Sequence, residues 1–183
     1  MLLSDLNITI GFEIEFCQKG EYSLWLPLGW SQGYDSSIYL HDYLEEDGGF
    51  KREVRTSPLP LLPETRLPED WEDAFEYMRK HGVVNSTCGI HAHLISPSHP
   101  ISIGTIVPNA LFNKFKHYPN KWRKTSYAKP KIERSIVDRY SVISLRDSRH
   151  IEIRAFDSTL NSNSFLRYFL QIKKVMIQAA ENL

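Results

Sequence analysis

NITIGFEIEFC, residues 7–17, alternates apolar and polar side chains and decides the fold. A repeat of two residues is typical of a β-strand with one buried face, so we predict a strand here. The apolar side chains of this strand are Ile8, Ile10, Phe12, Ile14 and Phe16. The other face carries Glu13 and Glu15, about 6 to 7 Å apart along the strand. For this pair alone, a solvated edge strand is the simpler interpretation, and a cation that neutralises both carboxylates is the alternative.

Three further pairs with the same spacing occur later in the chain. His91 and His93 lie between apolar neighbours, and the pair is equally well explained by packing and by metal ligation. Glu152 and Arg154 fit a surface ion pair, or a metal-ligating carboxylate beside a guanidinium that meets a phosphoryl group. The last pair consists of Glu53 and Arg55.

The rest of the chain mixes strand and helix patterns without the regular rhythm of β-α-β units. Strands are predicted near 50–55, over 83–95 and over 151–156, and helices over 68–82, near 109–117 and over 165–181. Residues 20–34 and R-D-S-R-H at 146–150 are predicted to be irregular or hairpin segments. This order favours an α+β fold over a doubly wound parallel sheet, and 183 residues suit one domain, 1–183.

The composition is that of an ordinary globular protein, with 42% hydrophobic and 24% charged residues. Lys and Arg together number 22, as do Asp and Glu, so overall charge gives no reason to expect nucleic acid as a partner. The basic stretch 114–134 keeps nucleic-acid contact open, and contacts to phosphate or an acidic substrate explain it at least as well.

The sequence has no apolar run of roughly eighteen residues and no secretory signal pattern. We therefore expect a cytoplasmic protein without a membrane partner. Its two cysteines, Cys17 and Cys88, are too few for a disulfide framework, and we predict that both pack in the interior.

Taken together, the spaced pairs favour one metal site, because each lies on a strand face turned away from apolar neighbours. Oxygen ligands with one or two histidines suit Mg²⁺ or Mn²⁺ better than a structural Zn²⁺, which usually recruits thiolates. Four carboxylates exceed what one Mg²⁺ normally takes, so two ions fit the set. The side chains concerned are Glu13, Glu15, Glu53, His91, His93 and Glu152.

Five motifs occur in order along almost the whole chain. They are G-F-E-I-E-F at 11–16, D-S-S-I at 35–38, E-V-R-T-S-P-L at 53–59, C-G-I-H-A-H-L at 88–94 and I-E-I-R-A-F at 151–156. Their order resembles that of the amidoligase family, which belongs to the carboxylate–amine ligase superfamily with glutamine synthetase and glutamate–cysteine ligase. The chain is short for that family.

The resemblance implies a curved, mainly antiparallel sheet with helices packed on one face, like the catalytic domain of glutamine synthetase. It implies ATP and two or three Mg²⁺ ions as cofactors, with Mn²⁺ as a substitute for Mg²⁺. A carboxylate would be activated as an acyl phosphate, from which an amine displaces phosphate to form an amide. The implied partners are small-molecule, peptide or protein carboxylates and amines.

The resemblance also implies roles for individual residues. The metal ligands would be Glu13, Glu15, Glu53, His91 and Glu152. Catalysis would depend on Arg154, which stabilises the transferring phosphoryl group, together with Glu152 and Glu13. Nucleotide contacts would come from His93, Arg139 and Arg146, and substrate contacts from Asp35, Ser37 and Arg55.

Two other functions stay open at this point. A noncatalytic binding or adaptor domain would keep the fold, and its biological effect would survive replacement of Glu152 or Arg154. A metal-dependent hydrolase or nuclease would use the same acids with water as the nucleophile, and it would cleave a phosphoester without ATP.

Overall fold

The alternating stretch 7–17 forms the central strand, β1 (Thr9–Gln18), of a mixed β-sheet. The computed structural model describes residues 1–20, 24–40, 45, 48–102, 106–126, 128–133 and 140–183, apart from the side chains of 121, 122 and 125. Within these ranges the chain forms nine strands, a short 3₁₀ helix (Leu3–Leu6) and several α-helices.

The other strands are β2 (Ser31–Tyr34), β3 (Phe50–Arg55), β4 (Leu59–Pro60), β5 (Gly82–Val83), β6 (Gly89–Ile95), β7 (Lys129–Glu133), β8 (Ser141–Asp147) and β9 (His150–Asp157). The helices are α1 (Asp70–His81), α2 (Ile106–Phe115), α3 (Lys121–Ser126) and α4 (Ser162–Glu181).

The strands lie in the order β2-β3-β1-β6-β9-β8-β7, and the short strands β4 and β5 also pair with β1. Among the described pairings, only β7 and β8 run parallel to each other. The prediction of an α+β fold with a mainly antiparallel sheet is therefore confirmed. Strands β3, β1, β6 and β9 lie side by side, although they come from distant parts of the sequence.

Helices cover the apolar face of the sheet, where aromatic side chains interlock. Phe12 of β1 packs against Phe165 of α4 at a ring-centroid distance of 4.7 Å and against Trp71 of α1 at 6.3 Å. Phe115 of α2 packs against Phe156 of β9 at 5.1 Å. These contacts bury one side of β1 and β9, so the alternate side chains of both strands project to the opposite face.

The predicted helix over 68–82 forms as α1. Acidic residues occupy its first turn and basic residues its last, as the helix dipole favours. Its buried stripe is the predicted one, Trp71, Ala74, Phe75 and Met78. A Cβ on Gly82, which directly follows the helix, would lie 2.6 Å from a ring carbon of Phe16, so only glycine fits between helix and sheet.

The prediction of one strand over 83–95 is wrong, because the chain leaves the sheet between β5 and β6. The Asn85 side chain accepts a hydrogen bond from the backbone N–H of Thr87 at 2.9 Å and donates one to the Tyr39 carbonyl at 2.6 Å. Such a side-chain turn competes with sheet pairing. The region beyond the turn, β6, carries both histidines.

Both cysteines are buried, as predicted, in a small cluster with Ile38 and Leu40. The polar stretch 146–150 forms the turn between β8 and β9, as expected. None of the helices in the described ranges combines the length and apolar character needed to span a membrane.

Candidate metal and catalytic centre

The sheet face opposite the helices brings the spaced polar pairs together. Glu13 on β1 lies opposite Arg55 on β3 and opposite His91 on β6. The other directly opposed pairs are Glu15 with Glu53 and His93 with Glu152. Neighbouring strands lie about 4.8 Å apart. This register therefore places a carboxylate next to a guanidinium or an imidazole in three pairs, and next to another carboxylate in the pair of Glu15 and Glu53.

The first potential ligand group consists of Glu13, His93 and Glu152, whose ligand atoms all lie within 4.8 Å of one another. His93 Nε2 is 3.4 Å from Glu13 Oε2. It makes no hydrogen bond to any described residue, although it is buried. Two carboxylates facing an unbonded imidazole nitrogen form a suitable donor set for a divalent cation.

The second potential ligand group consists of Glu15, Asp35 and Glu53, again with ligand atoms within 4.8 Å of one another. Burial, and then the charge of Asp35, raises the pKa of Glu15 well above its ordinary value. Burial, and then the charge of Glu13, raises the pKa of Glu53. A cation here would relieve the repulsion that favours protonation of these carboxyl groups.

His91 lies between the two groups and is almost completely buried. Its Nδ1 is 3.2 Å from Glu13 Oε2, and its Nε2 is 3.4 Å from Glu15 Oε1. Burial, and then the charge of Arg154, lowers the pKa of His91 to about 4. The ring is therefore neutral near pH 7, the form that can ligate a metal.

Three arginines surround the carboxylates. Arg154 and Arg146 both contact Glu152 at 2.7 Å, one on each carboxylate oxygen. Burial raises the pKa of Glu152, but the charges of His91 and then Arg154 outweigh it and lower that pKa overall. Arg55 contacts Glu53 at 2.5 Å and Glu13 at 3.4 Å while remaining largely exposed.

Glu13 and Asp35 are held ionised by their neighbours. Burial opposes the ionisation of Glu13, but the adjacent imidazole rings of His91 and then His93 outweigh it and lower its pKa. Burial likewise opposes ionisation of Asp35, but the Ser37 backbone N–H, 2.7 Å from the carboxylate, helps to lower its pKa. Each ligand group therefore contains a carboxylate that carries charge at neutral pH.

A β-bulge places Arg154 in the centre. Ile90 pairs with Phe156 and Ala92 with Ile153, so two residues of β9, Arg154 and Ala155, oppose His91 alone. Bulges of this kind redirect a side chain and are common beside active sites.

Arg123 of α3 fills the space beside this bulge, and sequence reasoning did not single it out. The guanidinium is only 1% exposed. It donates to the carbonyl of Arg154 at 3.2 Å and lies 3.9 Å from Glu15 Oε2. It also lies over Gly89, whose backbone N–H donates to Glu15 at 2.6 Å. A Cβ on Gly89 would lie 2.0 Å from Arg123 Nη1, so the absence of a side chain at this position leaves room for the guanidinium.

The centre opens into a polar cavity of about 440 Å³. This volume lies within the range of small-molecule sites, roughly 300 to 1,000 Å³. The cavity is lined by Glu13, Tyr34, Asp35, Ser36, Ser37, Glu53, Arg55, His91, Tyr140, Arg146, Glu152 and Arg154. A larger apolar cavity, about 530 Å³, lies between α1 and α4 on the helical side and includes none of these residues.

The structure brings together nearly all the residues predicted for the site. Three observations differ in detail from the implied roles. His93 was expected to contact nucleotide, but one of its nitrogens lies within the first ligand group. Asp35 was expected to contact substrate, but one of its oxygens lies within the second ligand group. Arg55, also expected to contact substrate, contacts the carboxylates of Glu13 and Glu53. Ser37 lines the cavity, and Arg139 lies outside the described residues.

No protein-family model matches this chain. A comparison with curated proteins likewise finds no match.

Proposed function

We propose that the protein is an ATP- and Mg²⁺-dependent ligase that joins a carboxylate to an amine through an acyl phosphate. The proposal includes membership of the amidoligase family and a sheet of the glutamine synthetase type. It is supported by the order of the five sequence motifs and by the chemistry of the centre.

One observation carries the proposal. Two oxygen-rich ligand groups flank His91, and two arginines contact the Glu152 carboxylate of the first group, at the wall of one polar cavity. Phosphoryl transfer is catalysed mainly by cations arranged around the phosphoryl oxygens, together with precise positioning of the reactants. The donor set suits Mg²⁺ or Mn²⁺, since carboxylates predominate and the described cysteines lie apart in an apolar cluster.

The residues of the centre would have three roles. Glu13, His93 and Glu152 would hold one cation, and Glu15, Asp35 and Glu53 a second, with His91 placed between them. Bound cations would offset the negative charge of the ATP phosphates. Arg154 and Arg146 would donate hydrogen bonds to phosphoryl oxygens and orient the transferring group.

The proposed reaction has two steps. A carboxylate oxygen of the acceptor attacks the terminal phosphorus of ATP, the bond to the bridging oxygen breaks, and ADP leaves. The amine nitrogen then attacks the acyl carbon, loses a proton, and expels inorganic phosphate to leave the amide. Arg55 lines the cavity beside the second ligand group, where it can bind the acceptor carboxylate, and the departing phosphate can carry away the amine proton.

The test uses hydroxylamine as the amine, because it intercepts acyl phosphates and gives a coloured hydroxamate with ferric iron. The purified protein is incubated with MgATP, hydroxylamine and a panel of amino acids and acidic peptides. We expect hydroxamate, ADP and phosphate to form together with a subset of the carboxylates. Glu152→Gln should lower this rate on the order of 10²–10³-fold, as loss of an electrostatic catalytic group commonly does.

Glu76→Gln is the matched control, since Glu76 is a largely exposed carboxylate on α1, away from the centre. This variant should retain full activity. Absence of both MgATP and Mg²⁺ binding in calorimetry would refute the ligase proposal. Phosphoester cleavage without ATP would indicate a hydrolase instead, and binding of MgATP without any turnover would indicate an adaptor.

A further inference from the structure

Two histidines contact each other at the edge of the centre. His93 Nδ1 lies 2.9 Å from His150 Nε2, and the two rings are 5.1 Å apart between centroids, with 48° between their planes. His93 belongs to the first ligand group, whereas His150 belongs to neither group. The contact therefore extends from a potential metal ligand to the hairpin between β8 and β9.

A hydrogen bond between two neutral imidazoles contains one proton, so one ring donates and the other accepts. If His93 donates, its Nδ1 carries the proton and its Nε2 keeps a lone pair. If His150 donates, His93 Nε2 carries a proton that needs an acceptor. His93 Nε2 makes no hydrogen bond within the described residues, even with Glu13 Oε2 3.4 Å away. In the first arrangement His93 has no buried N–H that lacks an acceptor.

We propose that His150 is a positioning residue that accepts the Nδ1–H of His93 and so directs the Nε2 lone pair towards Glu13 and Glu152. The inference rests on the metal centre of the proposed function. Metal-ligating histidines commonly donate their other ring N–H to a fixed acceptor, which sets both the tautomer and the ring orientation.

The hairpin holds His150 in place for this role. His150 pairs with Ile95 on one side and with Asp147 on the other. The turn that precedes it is anchored to the neighbouring loop, since Arg149 accepts from Ser96 N at 3.0 Å and Ser148 accepts from Ser102 N at 3.1 Å. His150 therefore stands at a fixed position beside His93 rather than on a loose loop.

The first measurement is the tautomer of His93 in metal-free wild-type protein, observed by long-range ¹⁵N–¹H correlation spectra of the imidazoles. We expect the Nδ1–H form. His150→Ala should abolish this preference, whereas His150→Gln should retain it, because the glutamine amide oxygen can occupy the position of Nε2 and accept the hydrogen bond. An Nε2–H tautomer of His93 in the wild type would overturn the inference without recourse to any variant.

The second measurement is Mn²⁺ affinity, determined from the free-ion paramagnetic resonance signal. His150→Ala should weaken binding at one site about 10- to 100-fold, the usual effect of losing such a partner. His150→Gln should restore much of the affinity, and His117→Ala, which removes an exposed histidine, should leave it unchanged. Unchanged affinity in a folded His150→Ala protein would contradict the inference.

These outcomes separate the inference from the proposed function. A His150-dependent Mn²⁺ site in a protein that forms no hydroxamate would refute the ligase and keep the positioning role. Hydroxamate formation with a His93 tautomer that is independent of His150 would do the reverse.

Discussion

His91 combines a position among three carboxylates with a lowered pKa. Its Nδ1 lies 3.2 Å from Glu13 and 3.7 Å from Glu152, contacts that favour the protonated ring. Burial and the charge of Arg154 favour the neutral ring more strongly and lower the pKa of His91 to about 4. A neutral ring can donate Nδ1–H to Glu13 and present the Nε2 lone pair towards Glu15. The residue therefore connects the two ligand groups without adding charge.

This pKa predicts how stability depends on pH in metal-free protein. The unfolded imidazole titrates near 6.5, so between pH 6.5 and 4 the unfolded chain binds more protons than the folded one. The free energy of unfolding should therefore fall as the pH is lowered through this window, by roughly 3 kcal/mol on account of His91. In His91→Asn, whose amide can still donate to Glu13, that part of the dependence should vanish.

Chemical denaturation at several pH values, with a chelator present, measures the difference between the two proteins. Glu15 and Glu53 act in the opposite direction, because their raised pKa values stabilise the folded state at low pH and this stabilisation is lost as the pH rises. Both carboxyl groups are present in both proteins and neither owes its raised pKa to His91, so their contributions cancel from the difference. Parallel pH profiles would show that His91 titrates normally.

At the scale of secondary structure, local sequence pattern predicted the elements with clear periodicity. Strands β1, β3 and β9 and helices α1 and α4 follow their predicted positions within a few residues. Two features depended on contacts that periodicity does not encode. The side chain of Asn85 ends β5 by bonding across to Tyr39, and β8 lies in a stretch for which we predicted only a terminal polar hairpin.

The contact between α3 and β6 gives a prediction at this scale. Gly89→Ala should lower the free energy of unfolding by about 1–3 kcal/mol, because the new methyl group collides with the buried Arg123 guanidinium. In an Arg123→Ala background the same substitution should cost less, since the collision is gone. A double-mutant cycle from denaturant titrations measures this coupling.

Gly11→Ala is the matched control on the same sheet face, because a Cβ there meets only ordinary contacts at 3.9 Å. Its effect should be small in both backgrounds. If Gly89→Ala were as mild as Gly11→Ala, the guanidinium would have room to move and would not be fixed over the strand.

At the scale of the whole molecule, the two faces of the sheet have different roles: one face packs against the helices and stabilises the fold, and the other carries the residues of the centre. Aromatic side chains on one face join the helices to the sheet, and the polar residues of the centre lie on the other face. Alternation along each strand made the division predictable for Glu13, Glu15 and Glu152. The association of these residues into two groups was not predictable from alternation, because it depends on strand order, on the bulge at Arg154 and on Asp35, which lies just beyond β2.

This division into two groups predicts the metal stoichiometry. The groups share no residue, so the wild-type chain should bind two Mn²⁺ ions, and Glu53→Gln and Glu152→Gln should each leave one. Each ion at about 100 times its dissociation constant should add roughly 2.7 kcal/mol to the free energy of unfolding. Equilibrium dialysis gives the stoichiometry, denaturation with and without Mn²⁺ gives the stabilisation, and Glu76→Gln serves as the control. Loss of both ions from either single variant would mean that the centre holds its metals as one cooperative unit, and a single ion in the wild type would mean that one group is an ion-pair network without metal.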